Sequence, residues 1–381
     1  MPLETPRARD RSGAHAGRVS VMMPAFNAER FIARAVGSVL AQTYADWELI
    51  VVDDGSTDRT GAIVREFADP RIAIVTQQNR GEAAARNVAL DAASGAYLAF
   101  LDADDVFLPH HLDGLVACLR AHPGHIGAYT DGHYVDEHER RVAPLSSRRC
   151  PPVTGRLFEA LVRSSGVFGP PVCVLIRLAP VRAHALRFDE RITIGPDWDF
   201  FIRYADLGTF GYLDGHTCLY RLHGANISLG TGSVRRLQDL ATCRVNAIRM
   251  PSFAGCAVAV RVWVFYDLLV NLLAGSPERQ QDVFGWPRFR ELPGSEQARL
   301  LRLAASKTIL AGGDRAAARR WLEEAVALDP SSFRARLTLW LEASSPRLCR
   351  RVLRLRTASE HRTGDQSPLA DLRLAAGGGG R

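Results

Sequence analysis

At 381 residues the chain is too long for one ordinary hydrophobic core, so two domains are the natural expectation. The composition is globular, with 47% apolar and 23% charged residues. The formal charge of +7 is carried mainly by arginines, without long runs apart from Arg347 to Arg356 and the pair Arg148/Arg149, which suits phosphate-bearing substrates or an anionic membrane surface better than duplex nucleic acid, for which no motif is present.

The seven cysteines are scattered and contain no CxxC pair, so they read as thiols of a reducing compartment rather than a zinc or disulfide framework. Residues 1–17 are polar and Arg-rich with no apolar core of a signal sequence, and are expected to be disordered. The expectation is a cytoplasmic protein, with peripheral attachment to the inner face of a membrane left open. Order begins with a short apolar strand at 19–23 that stops at Pro24. Asn27 is then placed to cap a helix on which Phe31, Ile32, Ala35, Val36, Val39 and Leu40 recur at helical spacing.

The segment 47–52 (WELIVV) reads as a second buried strand, ending on Asp53-Asp54-Gly55-Ser56. Ile63, Val64 and Phe67 continue a helix, 72–75 a third strand, and 81–93 an Ala-rich helix stopped by Ser94-Gly95. The run 97–101 (YLAFL) is a fourth buried strand that stops at Asp102, Asp104 and Asp105. In an extended chain Asp102 and Asp104 project to one side and Asp105 to the other. Two such carboxylates are hard oxygen ligands suited to Mg²⁺ or Mn²⁺ together with substrate phosphates. Strand and helix alternating through 85 or so residues imply a parallel sheet with its carboxyl ends on one rim, where open α/β sheets bind ligands. Pro24, Asp53, Asp54, Asp102 and Asp104 all fall on that rim. The first strand-to-helix turn, MMPAFNAER, has no glycine, which disfavours a dinucleotide-binding Rossmann cradle.

Residues 19–60, together with NRGEAAARNVALDAASGAYLAFLDADD, resemble the inverting nucleotide-sugar glycosyltransferases of family 2, which have the GT-A fold. The resemblance is dense to about residue 115 and patchy to about 229. It implies transfer of a sugar from a nucleoside-diphosphate donor to an acceptor hydroxyl with inversion, in cell-surface polysaccharide or glycoconjugate biosynthesis. The acceptor, whether glycan, lipid-linked or protein, is not implied. By position, Pro24 and Phe26 would line the nucleobase pocket with Glu29 close by. Asp54 would accept from the base N–H, and Asp53 would lie near the ribose. Arg86 would approach the diphosphate, or else form a structural ion pair with an aspartate at the strand ends. Asp102 would reach the ribose and the metal, and Asp104 the metal.

Further on, 118–125 closes a helix, 126–134 and 169–176 read as strands, and 136–165 is loop-rich. The block 195–203 (GPDWDFFIR) is similar to the family's acidic segment before a helix, with Pro196 where Glu is common. That alignment makes Asp197 the candidate base, with a helix cap as the alternative for Asp197 or Asp199. Cys218-Leu219-Tyr220-Arg221-Leu222-His223 resembles a segment whose histidine completes the metal site, which implicates His223. The stretch 254–274 is apolar but carries Arg261, Asp267 and Asn271, so it reads as a buried or interfacial helix.

The expected organisation is a tail at 1–17, a Rossmann-like, mostly parallel GT-A domain at 18–229, an all-helical region at 230–360, and a tail at 361–381. Residues 296–356 are similar to tetratricopeptide repeats, with a plain bundle as the alternative. Two other functions fit less well. The segment LDADDV loosely matches haloacid-dehalogenase-type phosphatases, in which Asp102 would be the nucleophile. A degenerate sheet domain carrying a partner-binding helical half is the non-enzymatic reading.

Overall fold

The computed structural model describes residues 15–224, 233–275 and 279–363. The expected tails at 1–17 and 361–381 lie almost wholly outside the described residues.

Nine strands form one sheet in the order β3-β2-β1-β4-β8-β6-β9-β5, with β7 beside β6. Strands β1 (His15–Ala25), β2 (Trp47–Asp53), β3 (Ile72–Thr76) and β4 (Gly95–Phe100) run parallel. Their central residues, among them Val21, Met22, Leu49, Val51, Leu98 and Ala99, are buried. Helices lie on both faces of the sheet, which is why these strands read as continuous apolar runs without alternation. Ala25 lies opposite Asp53 and Met22 opposite Phe100, so the carboxyl ends of β1, β2 and β4 share one rim.

The remaining strands are β5 (Val106–Phe107), β6 (His125–Val135), β7 (Arg141–Pro144), β8 (Val174–Arg177) and β9 (Thr209–Arg221). β8 is antiparallel to both β4 and β6, which leaves β6 parallel to the first four strands. The helices of this part are α1 (Ile32–Leu40), α2 (Thr60–Glu66), α3 (Glu82–Ala92), α4 (His111–Ala121), α5 (Phe158–Arg163), α6 (Leu178–Ala183) and α7 (Pro196–Ala205).

Several boundaries differ from the sequence reading. β1 begins at His15 rather than Val19. The expected strand at 169–176 is a 3-10 turn at Pro171–Cys173 followed by the short β8, because Pro170 and Pro171 cannot donate to a sheet ladder. The helix expected to close at 118–125 ends at Ala121, and His125 already starts β6. Asn27 does not cap α1. Its φ is +48°, and the first helical residue is Ile32.

Beyond β9 the described residues are helical. Ser233–Arg249 and Val258–Gly275 pack against each other and against the α5–α7 side of the sheet domain. Val262, Val264, Phe265, Leu268, Leu269 and Leu272 are buried, so the apolar stretch at 254–274 is a core helix and not a membrane-facing one. Helices Gly294–Ala311, Arg315–Leu328, Phe333–Ser344 and Pro346–Thr363 follow, each packed on its chain neighbour. Asp314 and Ser332 cap the second and third of these with their side chains. No helix among the described residues is long and apolar enough to cross a membrane.

Candidate active site

The loops after β1 and β2 are stapled together at the rim. Asn27 Oδ1 accepts from the Thr57 N–H at 2.9 Å, and the Asn27 N–H donates to Ser56 Oγ at 3.0 Å. Glu29 accepts from the Arg59 N–H at 3.0 Å, while its own N–H donates to Asp58. The left-handed backbone at Asn27 is what turns its amide toward the second loop, and Asn tolerates that conformation better than most residues. Gly55, at φ +79°, makes the following turn. A Cβ there would sit 2.8 Å from the Asn79 nitrogen.

Asp53 and Asp54 are both buried, with different duties. Asp54 accepts from Gln77 Nε2 (2.6 Å) and from the N–H groups of Arg80 (2.9 Å) and Gly81 (2.8 Å), so both of its oxygens hold the loop entering α3. Asp53 Oδ1 accepts from the Ser56 N–H at 3.0 Å, and Oδ2 lies over Gly61, where a Cβ would come within 2.7 Å of it. Pro24 is buried within β1 opposite Val52, and Phe26 stands half exposed at the lip.

The strand β4 ends at Phe100, and the acidic segment is a turn closed by the Asp105 N–H on the Asp102 carbonyl at 3.0 Å. Turn geometry, not strand alternation, therefore presents Asp102 and Asp104. Asp105 does point away from them. It is buried, and Oδ1 accepts from the Arg221 N–H at 3.0 Å on β9. Arg221 Nε also donates to the Asp104 carbonyl at 2.9 Å, fixing the turn against β9.

Arg86, only 1% exposed, is the centre of the charge arrangement. Its Nη2 lies 2.7 Å from Asp102 Oδ1 and 2.6 Å from Glu82 Oε1, and its face lies 5.7 Å from the Phe188 ring. The structural ion pair weighed for Arg86 is therefore present. Nε and Nη1 are buried with no hydrogen-bond partner among the described residues. Burial disfavours the guanidinium charge, but Glu82, Asp102 and Asp197 more than offset that, and its pKa is raised. Burial pushes Glu82 up to about 7, with Arg86 opposing and Asp102, Asp197 and Asp104 adding to the rise. Burial likewise raises Asp102, against Arg86 and with Asp104 and Asp197. His223 Nε2 lies 2.8 Å from Asp104 Oδ2, with its ring 4.9 Å from Phe31.

Asp197 joins this group from α7. Gly195, at φ +80°, precedes the helix, and Pro196 occupies its first turn, where a missing N–H costs nothing. Asp197 is thus in the first turn of α7, where the helix dipole favours a carboxylate, and its charge is felt by Arg86, Glu82 and Asp102. Among the described residues it enters no ion pair. Phe201 packs edge-on to Phe100 of β4 at 5.1 Å, and Phe200 stacks on Phe188 at 4.3 Å, so the helix is braced on the sheet as its amphipathic spacing implies.

Asp199 is different. It is buried, with Oδ2 bound by Arg203 (2.6 Å) and Oδ1 by Asn246 (2.8 Å). It is no helix cap, and removing one partner of such a buried pair is costly. Asp199→Asn should lower stability by about 3 kcal/mol, read from denaturant unfolding. A loss near 1 kcal/mol would mean that it acts only as a cap.

Sequence reasoning missed three contributors. Glu82 was legible as an i,i+4 partner of Arg86. Asp239, on Ser233–Arg249, accepts from the N–H groups of Thr193 (3.0 Å) and Ile194 (2.9 Å), holding the loop that leads into Asp197. Asn246 ties the same helix to Asp199. Neither has a local signal, because each reaches about 45 residues back along the chain.

The profile of "Glycosyl transferase family 2" matches residues 20–180. A Nostoc protein, "Uncharacterized glycosyltransferase alr2836", is 30% identical over 227 residues, covering 58% of this chain and 70% of its own length. The chain belongs to glycosyl transferase family 2. Over 102 residues this family 2 chain is also 50% identical to the Escherichia coli "UDP-Glc:alpha-D-GlcNAc-diphosphoundecaprenol beta-1,3-glucosyltransferase WfgD", spanning 26% of the chain and 40% of that relative. The chain therefore covers well under two thirds of WfgD. The solved structure of S. aureus TarS 1–349 in complex with UDP-GlcNAc superposes with a TM-score of 0.56 at 19% identity, over 91% of this chain and 92% of that one. The fold is thus the GT-A arrangement followed by helices, and the phosphatase reading is displaced.

Whether this family 2 site suits a divalent cation can be tested on its donors. Among the described residues no three His, Cys, Asp or Glu side chains converge as a ready-made cage. Asp104 and His223 do lie side by side; the carboxylate oxygen suits Mn²⁺ or Mg²⁺, and the imidazole adds a nitrogen donor of the kind transition metals take. Glu82, Asp102 and Asp197 share the buried Arg86 as their counter-charge. The excess of carboxylate and the paired donors fit a cation completed by substrate phosphates.

Proposed function

We propose that this protein is an inverting, divalent-cation-dependent glycosyltransferase that moves a hexose from a UDP-sugar to an acceptor hydroxyl of a cell-surface polysaccharide or glycoconjugate. The observation that carries the reading is the convergence at one rim of an Asp104–His223 pair, an Arg86-held Asp102, and an Asp197 without an ion-pair partner. The 50% identity to a UDP-glucose enzyme over 102 residues supports the choice of nucleotide and hexose.

In this reading Phe26 offers an aromatic face to the base at the lip, and Asp53 lies near the ribose. Pro24, Glu29 and Asp54 shape the pocket by holding its loops. Asp102, oriented by Arg86, reaches the ribose, and Arg86 Nε and Nη1 face the diphosphate side. Asp104 and His223 hold the cation, which when bound neutralises the charge that develops on the departing diphosphate. Asp197 takes the proton from the acceptor hydroxyl. The hydroxyl oxygen then attacks the anomeric carbon from the face opposite the diphosphate, whose bond breaks with its electron pair going to UDP. Inversion follows from that single displacement. A cytoplasmic location accords with a donor of this kind.

Thermal shift with UDP and GDP, with and without Mn²⁺, tests the reading. A diphosphate beside these carboxylates is repelled unless a cation lies between them. UDP at 100 times its Kd should stabilise the wild type by about 2.7 kcal/mol, and only with Mn²⁺. Asp104→Asn should keep its fold and lose that metal-dependent gain. Unchanged metal dependence in the variant would refute the assignment.

A further inference from the structure

Two features at the C-terminal end are not used by the site described above. Helix Phe333–Ser344 exposes Phe333 (63%) and Trp340 (61%), seven residues apart and therefore on one face, directed away from the buried Ala335, Thr338 and Leu341. The next helix, Pro346–Thr363, exposes Leu348 (46%) and Leu355 (64%), again seven apart. Large apolar side chains repeated in this way on consecutive packed helices are not the scattered exposure common on any surface.

The second feature is charge. Arg347, Arg351 and Arg354 recur at helical spacing on the exposed side of Pro346–Thr363, and no acidic residue occurs between Glu342 and Glu360. Among the described residues none of these three arginines enters an ion pair, whereas Arg315 nearby is matched by Glu342 at 2.6 Å. Three exposed arginines without an ion pair thus share one side of a helix that also exposes Leu348 and Leu355.

A helix with a basic face and an apolar flank containing Leu, next to exposed Trp and Phe, has the composition of one that lies in a membrane interface. Leu348 and Leu355 have nothing to contact on a nucleic-acid backbone but fit an acyl boundary. We propose that the helices Phe333–Ser344 and Pro346–Thr363 form a docking face for an anionic lipid bilayer, with the arginines on lipid phosphates and the apolar side chains at headgroup depth. The buried helix Val258–Gly275 takes no part in this face, and the proposal does not depend on the identity of the sugar donor.

Flotation of the full chain with phosphatidylglycerol-rich and with pure phosphatidylcholine vesicles at low salt tests the proposal. Binding to the anionic vesicles should exceed binding to the neutral ones by about tenfold and fall as salt is added. The triple variant Arg347→Glu, Arg351→Glu, Arg354→Glu should lose that excess, and the corresponding triple Lys variant should keep it. Trp340→Ser with Leu355→Ser should also weaken flotation. Equal recovery on both vesicle types, or an undiminished triple Glu variant, would overturn the proposal. So would sedimentation showing that Trp340→Ser with Leu355→Ser dissolves a dimer while flotation is unchanged, since the face would then pair two copies of the chain.

Discussion

Asp197→Asn is expected to lower kcat by about 10²- to 10⁴-fold while UDP affinity stays within a few-fold of the wild type. A single displacement needs a base on the side of the sugar opposite the leaving diphosphate. In the proposed site the carboxylates at the ends of β2 and β4 lie on the donor side. Asp197 comes from a separate helix, α7, yet lies close enough for its charge to act on Arg86 and Asp102. Its neighbour Asp199 is already bound on both oxygens by Arg203 and Asn246, which leaves it no capacity to take a proton from substrate. Steady-state kinetics alongside a UDP titration separates the two residues. An inactive Asp199→Asn that is fully folded, with a normal Asp197→Asn, would assign the base to the wrong carboxylate.

Arg86→Met is expected to cost about 3 kcal/mol of stability, because it leaves Glu82 and Asp102 without their shared cation. The lower end of the range for broken buried pairs applies, since both carboxylates are about a quarter exposed (24% and 25%) and can recruit water. The pH dependence has a definite sign. Glu82 has a folded-state pKa raised to about 7 from an ordinary value of 4.5, so its contribution favours folding at low pH and is lost as pH rises from 4.5 through 7. Without Arg86 that rise should be larger, so the variant should be least impaired at pH 5 and most impaired at pH 8. Urea unfolding at the two pH values measures this, and Glu82→Gln in the Arg86→Met background should recover much of the loss. Equal destabilisation at both pH values would mean that Arg86 supports the fold through packing on Phe188 rather than through charge.

The parallel half of the sheet was legible because strands buried on both faces leave unbroken apolar runs, and each run here ends on a residue at the rim. The acidic turn was located correctly but for an incomplete reason. Asp102 and Asp104 are presented by a turn closed on the Asp102 carbonyl, and the sequence contains no signal that distinguishes that turn from a continued strand. Asn27 shows the same limit. Its side chain suits a helix cap, but its positive φ gives it to the neighbouring loop instead, and that depends on Ser56 and Thr57 thirty residues away. The antiparallel β8 between β4 and β6, and the grip of Asp239 and Asn246 on the α7 region, are long-range pairings without a local pattern. The helix Val258–Gly275 carries polar interruptions that suggested an interface. In the fold Asp267 and Asn271 are absorbed by each other and by Arg244, which lets the helix be buried.

Inverting transfer by Asp197 is tested by proton NMR of the purified chain incubated with α-linked UDP-glucose, UDP-N-acetylglucosamine and UDP-galactose in the presence of Mn²⁺, with water as the default acceptor. One donor should be consumed to UDP, the sugar released first should be the β anomer, and Asp197→Asn should abolish the reaction. First release of the α anomer, or turnover undiminished in Asp197→Asn, would contradict inverting transfer by this residue.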